Sequence, residues 1–240
     1  MDARIHHSPE LPGLARVVRG LSALFWSLPA ALLLDAKIAT DPTWHSFGSL
    51  PSAALSGLMV YGIRQLRFFQ SQERIWIASI DRAEILSWLI LGLAPFPLWW
   101  SRNPDEPFLT RSVVVLVFGG LFFVLALNHA LYRLSLMIPD EVVRLETRLF
   151  SRVNRLLLVL QIAVTASYLV LLRERRDLPS ALVDVLGTLE EAKPWLVVLL
   201  VLVPLALTMT LIWKAKDVIL TSVFQTWEQG TSDRQSPRLP

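Results

Sequence analysis

Five side chains in this sequence have the types and placing to do chemistry in an apolar setting. Asn128 and His129 adjoin near the end of a long apolar run, within LALNHALYR at residues 125–133. Gln161 lies early in a later run, and Thr208 and Thr210 lie in the last one. Amides, hydroxyls and an imidazole at similar depth in neighbouring helices can form one hydrogen-bond network or hold a small polar ligand. Neutral imidazole could also ligate a haem or a chlorophyll. The network is favoured, because such side chains commonly tie membrane helices together at about 0.6 kcal/mol per contact. His45 belongs to the opposite end of the runs and cannot complete a two-histidine haem with His129. No cofactor is expected.

Other chemistries lack their residues. The two remaining histidines, His6 and His7, sit near the N-terminus, and none of the four has the H-E-x-x-H spacing of a zinc site. There is no G-x-S-x-G elbow, no glycine-rich phosphate loop and no cysteine. Nucleic-acid binding lacks a basic domain to carry it. The exceptions to the lack of carboxylates and cations in the spans are His129, near an end of its run, and Asp35, beside the outer end of the first span. Transport coupled through a buried carboxylate therefore has little support, while a channel lined by hydroxyls and backbone carbonyls stays open.

The elements that would position these residues are membrane helices. Residues 42–63, 85–101, 112–132, 156–172 and 194–213 contain no Asp, Glu, Lys or Arg. Each run is about as long as a helix needs to cross roughly 30 Å of hydrocarbon, and inside the bilayer each must satisfy its own backbone as a helix. Residues 21–34 form a shorter apolar stretch, read as a retained first span rather than the core of a cleaved leader. The expected fold is all-α: a polytopic integral membrane bundle of about six spans, at about 17–40, 45–63, 83–101, 111–133, 156–173 and 194–214. One membrane domain covers 1–229, and a disordered tail covers 230–240.

Charge sets the orientation. Of the 23 Lys and Arg, 16 fall in the N-terminus, 64–84, 133–155 and the C-terminus, and 7 fall in the other loops. The positive-inside rule puts the first set, with both termini, in the cytoplasm. The RERRD cluster at 173–177 counts against this. Trp44, Trp99, Trp100 and Trp195 at the outer ends, and Tyr61, Tyr132 and Trp213 at the inner ends, suit an aromatic belt. A bacterial inner membrane is the expected location.

Two inner segments should extend their spans as amphipathic helices. In 138–156, Val142, Leu145, Leu149, Val153 and Leu156 recur at helical spacing, and Arg144, Arg148, Arg152 and Arg155 recur on another face. That arginine face is either solvated or a surface for a partner or anionic lipid. Residues 67–86 are similar in kind and lead into the third span. Gly48, Ser52 and Ser56, and also Ala53 and Gly57, form small-residue faces suited to close helix packing. Pro95 and Pro97 in APFP mark the strongest expected helix break, a device that can build transporter sites but is also tolerated in ordinary spans.

Three function classes follow, in this order: a non-catalytic structural or accessory subunit of a membrane assembly, a small-solute transporter or channel, and a membrane enzyme acting on a lipid. The expected partners are the bilayer and other membrane subunits or a second copy.

Overall fold

A computed structural model describes residues 11–69, 73–137, 141–173 and 201–235. Everything described is helix or connecting turn, with no strand. The order is α1 (Leu11–Thr40), a short 3-10 helix (Pro42–Phe47), α2 (Leu50–Arg67), α3 (Arg74–Leu93), α4 (Phe96–Arg102), α5 (Pro107–Met137), α6 (Glu141–Arg173) and α7 (Val203–Gln235). Among the described residues, three stretches are long and apolar enough to cross a membrane: Gly13–Thr40, Pro107–Leu136 and Leu149–Leu171. The Glu174–Asp177 part of the RERRD cluster, Trp195 and the first part of the sixth expected span lie outside the described residues.

Local chemistry explains the punctuation. Asp41 caps the 3-10 helix: its Oδ1 accepts from Thr43 N at 3.0 Å and Thr43 Oγ1 at 2.8 Å. These bonds to the charged form hold its carboxyl below the ordinary value. Gly48 ends that turn at φ +66, a left-handed conformation that glycine adopts without a Cβ penalty. Pro107 opens α5 where its missing N–H costs no helix bond.

The third expected span is not one helix. Pro95 and Pro97 remove the N–H groups that would reach Leu91 and Leu93 four residues back. The chain stops at Leu93, turns, and restarts at Phe96. Pro29, by contrast, sits inside a continuous α1. At the other end of the chain, α7 continues to Gln235, through part of the stretch whose composition suggests a tail. Helix propagation beyond a formed nucleus is cheap, and Gly230 alone costs only about 1 kcal/mol.

The core sits among α1, α2, α3, α5 and α7. Val17, Leu21, Leu24 and Leu28, spaced 4, 3 and 4, bury one face of α1 against Ile63 and Leu66 of α2. Phe123, Leu127 and Leu134 of α5 and Ile212 of α7 complete it. The crossing of α1 and α2 depends on Gly20 and Gly62. A Cβ on Gly20 would come within 2.7 Å of Gly62 O, and one on Gly62 within 2.8 Å of Leu24 Cγ. Ser52 and Ser56 also face inward and are buried, whereas a Cβ on Gly57 would meet nothing within 4 Å. Of the two small-residue faces in this helix, the one carrying Ser52 and Ser56 is therefore the packing face.

α6 inverts the usual sense of amphipathicity. Leu149, Val153 and Leu156 are exposed, while Ser151, Asn154, Leu158 and Gln161 are buried. In a bilayer the outside is as apolar as the inside, so small and polar side chains gain more by facing neighbouring helices.

Candidate functional site

The described helices bring Asn128 and Thr208 together, and they add a residue from α6, Asn154. Asn128 Nδ2 donates to Val124 O at 2.8 Å and Thr208 Oγ1 at 2.9 Å. Asn154 Nδ2 donates to Asn128 Oδ1 and to Thr208 Oγ1, each at 2.9 Å. Thr208 Oγ1 donates in turn to Pro204 O at 2.8 Å. The three residues are 2 %, 0 % and 0 % exposed for Asn128, Asn154 and Thr208, so this is a dry junction of α5, α6 and α7.

Its donor inventory closes. Each amide has two N–H bonds and the hydroxyl has one O–H, and all five are used. Reversing the Asn154 amide would set its oxygen against Asn128 Oδ1 and against a hydroxyl already donating to Pro204 O, so the geometry fixes the orientation. One acceptor is left over: Asn154 Oδ1 is buried without a partner. We call this junction the polar clamp. Contacts of this kind contribute about 0.6 kcal/mol each, but leaving one of its donors unpaired costs about 1–3 kcal/mol.

The other candidate residues go elsewhere. Thr210 is exposed and donates only to Ala206 O, one turn back on its own helix, at 2.9 Å. Gln161 is buried but faces a separate cavity. His129 is turned away from the clamp into a groove between α3, α5 and α6, beside Arg82 and Arg155. Arg152 and Arg155 are exposed, whereas the side chains of Arg144 and Arg148 lie outside the described residues. His45 is at the far end, where its Nε2 lies 3.2 Å from Ile38 O and 2.9 Å from Ser101 Oγ. No cluster of three or more His, Asp or Glu suited to a metal forms among the described residues.

The cavity that Gln161 faces lies in the middle of the bundle and has a volume of about 380 Å³. Apolar side chains of α1, α5 and α7 make most of its wall, with Asp35 and Gln161 among its few polar groups. Asp35 accepts a 2.6 Å bond from Ser52 Oγ. Pro97, from the helix break, and Pro204, whose carbonyl belongs to the clamp, also border it. Val124 and Pro204 line the cavity and accept the clamp's bonds, so the clamp adjoins the cavity.

Asn154 was missed in the sequence because it lies among arginines, in RVNR, on what looks like a cytoplasmic segment. Its signal is helical register: Asn154, Leu158 and Gln161 are spaced 4 and 3, one face of one helix.

Comparison of the chain with protein-family models, curated proteins and solved structures finds no match.

Proposed function

We propose that this is a six-span, non-catalytic structural or accessory subunit of a membrane assembly, set in a bacterial inner membrane with both termini in the cytoplasm. The observation that carries the reading is the polar clamp. The strongest polar constellation inside the bundle spends every donor on its own helices, so it serves to hold the fold rather than a substrate. The long outward apolar face of α6 is a second support. In the most apolar 18-residue window of Leu149–Leu171 only 17% of residues are buried, against 39% in that of Gly13–Thr40 and 33% in that of Pro107–Leu136. Such a face suits another membrane subunit or a second copy.

The orientation rests on the sorting of cations. Arg16, stacked 4.8 Å from the Phe68 ring centroid, shares one end with Arg64, Arg67, Arg133 and Arg155. Lys37, Arg102 and Arg111 belong to the other end. For the six-span count, α2 packs on α1, the broken α3–α4 pair packs on α5 and α1, and α7 supplies the second part of the last span.

Purification from the native membrane in mild detergent, followed by mass spectrometry, tests the subunit reading: partner proteins should co-purify in fixed ratio. A lone monomer would overturn it. A reporter fused after Gln229 should be active only on the cytoplasmic side, and periplasmic activity would reverse the topology.

One observation favours a second reading, a transporter. The central cavity is bordered by Pro97, from the α3–α4 break, and by Pro204, in the first turn of α7, and transporter sites are often built on broken helices. Its apolar wall suits an apolar or amphipathic solute, not a hydrated ion. Solute uptake that Gly120→Leu abolishes by filling the cavity would favour this reading.

A further inference from the structure

The groove between α3, α5 and α6 has a volume of about 590 Å³ and opens to the side of the bundle. Arg82, His129 and Arg155 supply its polar side, one from each helix. Ile85, Leu86, Phe122, Leu125 and Val159 supply an apolar wall beside them. Ser79 is also present, but its hydroxyl donates to Ile75 O at 2.9 Å.

Among the described residues the charge here is uncompensated, for a structural reason. Asp81 and Glu84 flank Arg82 in sequence, but both turn toward α2. There Glu84 meets Arg64 at 3.5 Å and Arg67 at 3.2 Å, and Asp81 meets Arg67 at 3.4 Å. Arg82 projects to the other side, and neither it nor Arg155 forms an ion pair with a carboxylate among the described residues. The charges of Arg155, Arg133 and Arg82 all act on the His129 ring. Arg133 stands one turn beyond His129, and its Nε is buried without a partner. Two guanidinium groups and an imidazole N–H thus face a shared opening with no anion of their own among the described residues.

Depth identifies the anion. Arg82 stands just before the charge-free run that begins at Ile85, Arg155 immediately before the one that begins at Leu156, and Arg133 immediately after the one that ends at Tyr132. These positions mark the level where hydrocarbon meets headgroup. Guanidinium forks match phosphate oxygens in pairs, and basic pockets between spans are suited to acidic lipid headgroups.

We propose that this groove is a binding site for one anionic phospholipid. Its phosphate sits between Arg82 and Arg155 with His129 donating an N–H, and an acyl chain runs along Leu86, Phe122 and Val159. This does not depend on the chain being an accessory subunit. A transporter or an enzyme with these residues would hold the same lipid.

The test is native mass spectrometry of the full chain released from nanodiscs that contain phosphatidylglycerol and phosphatidylcholine in equal amounts. The wild type should retain one phosphatidylglycerol, and equal retention of the two lipids would overturn the site without any variant being made. Arg82→Gln and Arg155→Gln should each lower retention about tenfold, while Arg74→Gln, exposed on the same α3 outside the groove, should not. Arg82→Lys should restore part of the loss, which a folding defect would not allow. Unchanged retention in both glutamine variants would refute the proposal. Glycerol phosphate at millimolar concentration should not displace the lipid. Complete displacement would assign the groove to a free phosphate compound, and capture of an acidic peptide in place of lipid would assign it to a protein partner.

Discussion

Two pairs of neighbours in the sequence divide between two opposite environments. Asn128 and Asn154 turn inward to Thr208 and are almost fully buried, while His129 and Arg155, the next residue in each case, line the lateral groove. One step along a helix is about 100° of rotation, enough to move a side chain from a helix junction to a lipid-facing surface. The clamp is closed, with five donors used. The groove is open, with cations and no counter-charge among the described residues. The difference teaches that polar residues at the same membrane depth need not act together: direction around the helix separates those that hold the bundle from those left to meet something outside it.

The largest expected effect comes from charging the closed side. Asn154→Asp removes both Nδ2 donors and sets a carboxylate against Asn128 Oδ1. Burying a charge in this closed junction costs more than leaving a neutral donor unpaired, so thermal unfolding in detergent should show severe loss or no folded protein. A variant as stable as the wild type would show that water reaches the clamp. Next is Thr208→Val, which removes the acceptor shared by both asparagines. It should cost about 1–3 kcal/mol, whereas Thr210→Val, two residues away but exposed, should stay within about 0.5 kcal/mol. Equal losses in the two threonine variants would erase the distinction between inside and outside.

A double-mutant cycle of Asn128→Ala and Thr208→Ala should give a coupling of about 0.6 kcal/mol, with about 1.7 kcal/mol as an upper bound. Zero coupling would mean that the 2.9 Å contact contributes nothing net. The smallest effect belongs to the open side. His129→Ala should change stability by less than about 0.5 kcal/mol, measured by the same unfolding assay. A loss as large as that of Thr208→Val would place His129 in the clamp after all.

Much of the helical frame was legible in the sequence. Charge-free runs announced apolar helices because length and hydropathy are local properties, and APFP announced its break because a missing N–H is local too. The close packing of α1 and α2 was legible in part. Ser52 and Ser56 pointed to the right face of α2, but Gly20 and Gly62, which let the backbones meet, are two isolated glycines far apart in sequence. The candidate network was half legible: Asn128 and Thr208 meet, Gln161 faces the central cavity, and Thr210 serves its own helix. Asn154 was hidden because arginines on either side mark that stretch as interfacial, although its own direction is inward.

By itself, the sequence determined that the chain is helical and apolar enough for a membrane, where proline interrupts it and how its cations sort between the two ends. These follow from short-range rules: backbone bonding within a helix, residue hydropathy and the missing proline donor. Only the tertiary structure decided which polar side chains share a junction, that Asp81 and Glu84 turn to α2, and that Arg82 and Arg155 are left facing one groove. Those outcomes depend on the rotation of each helix about its axis. That rotation is set by packing against partners 26 to 80 residues away along the chain, and local patterns encode it only in part.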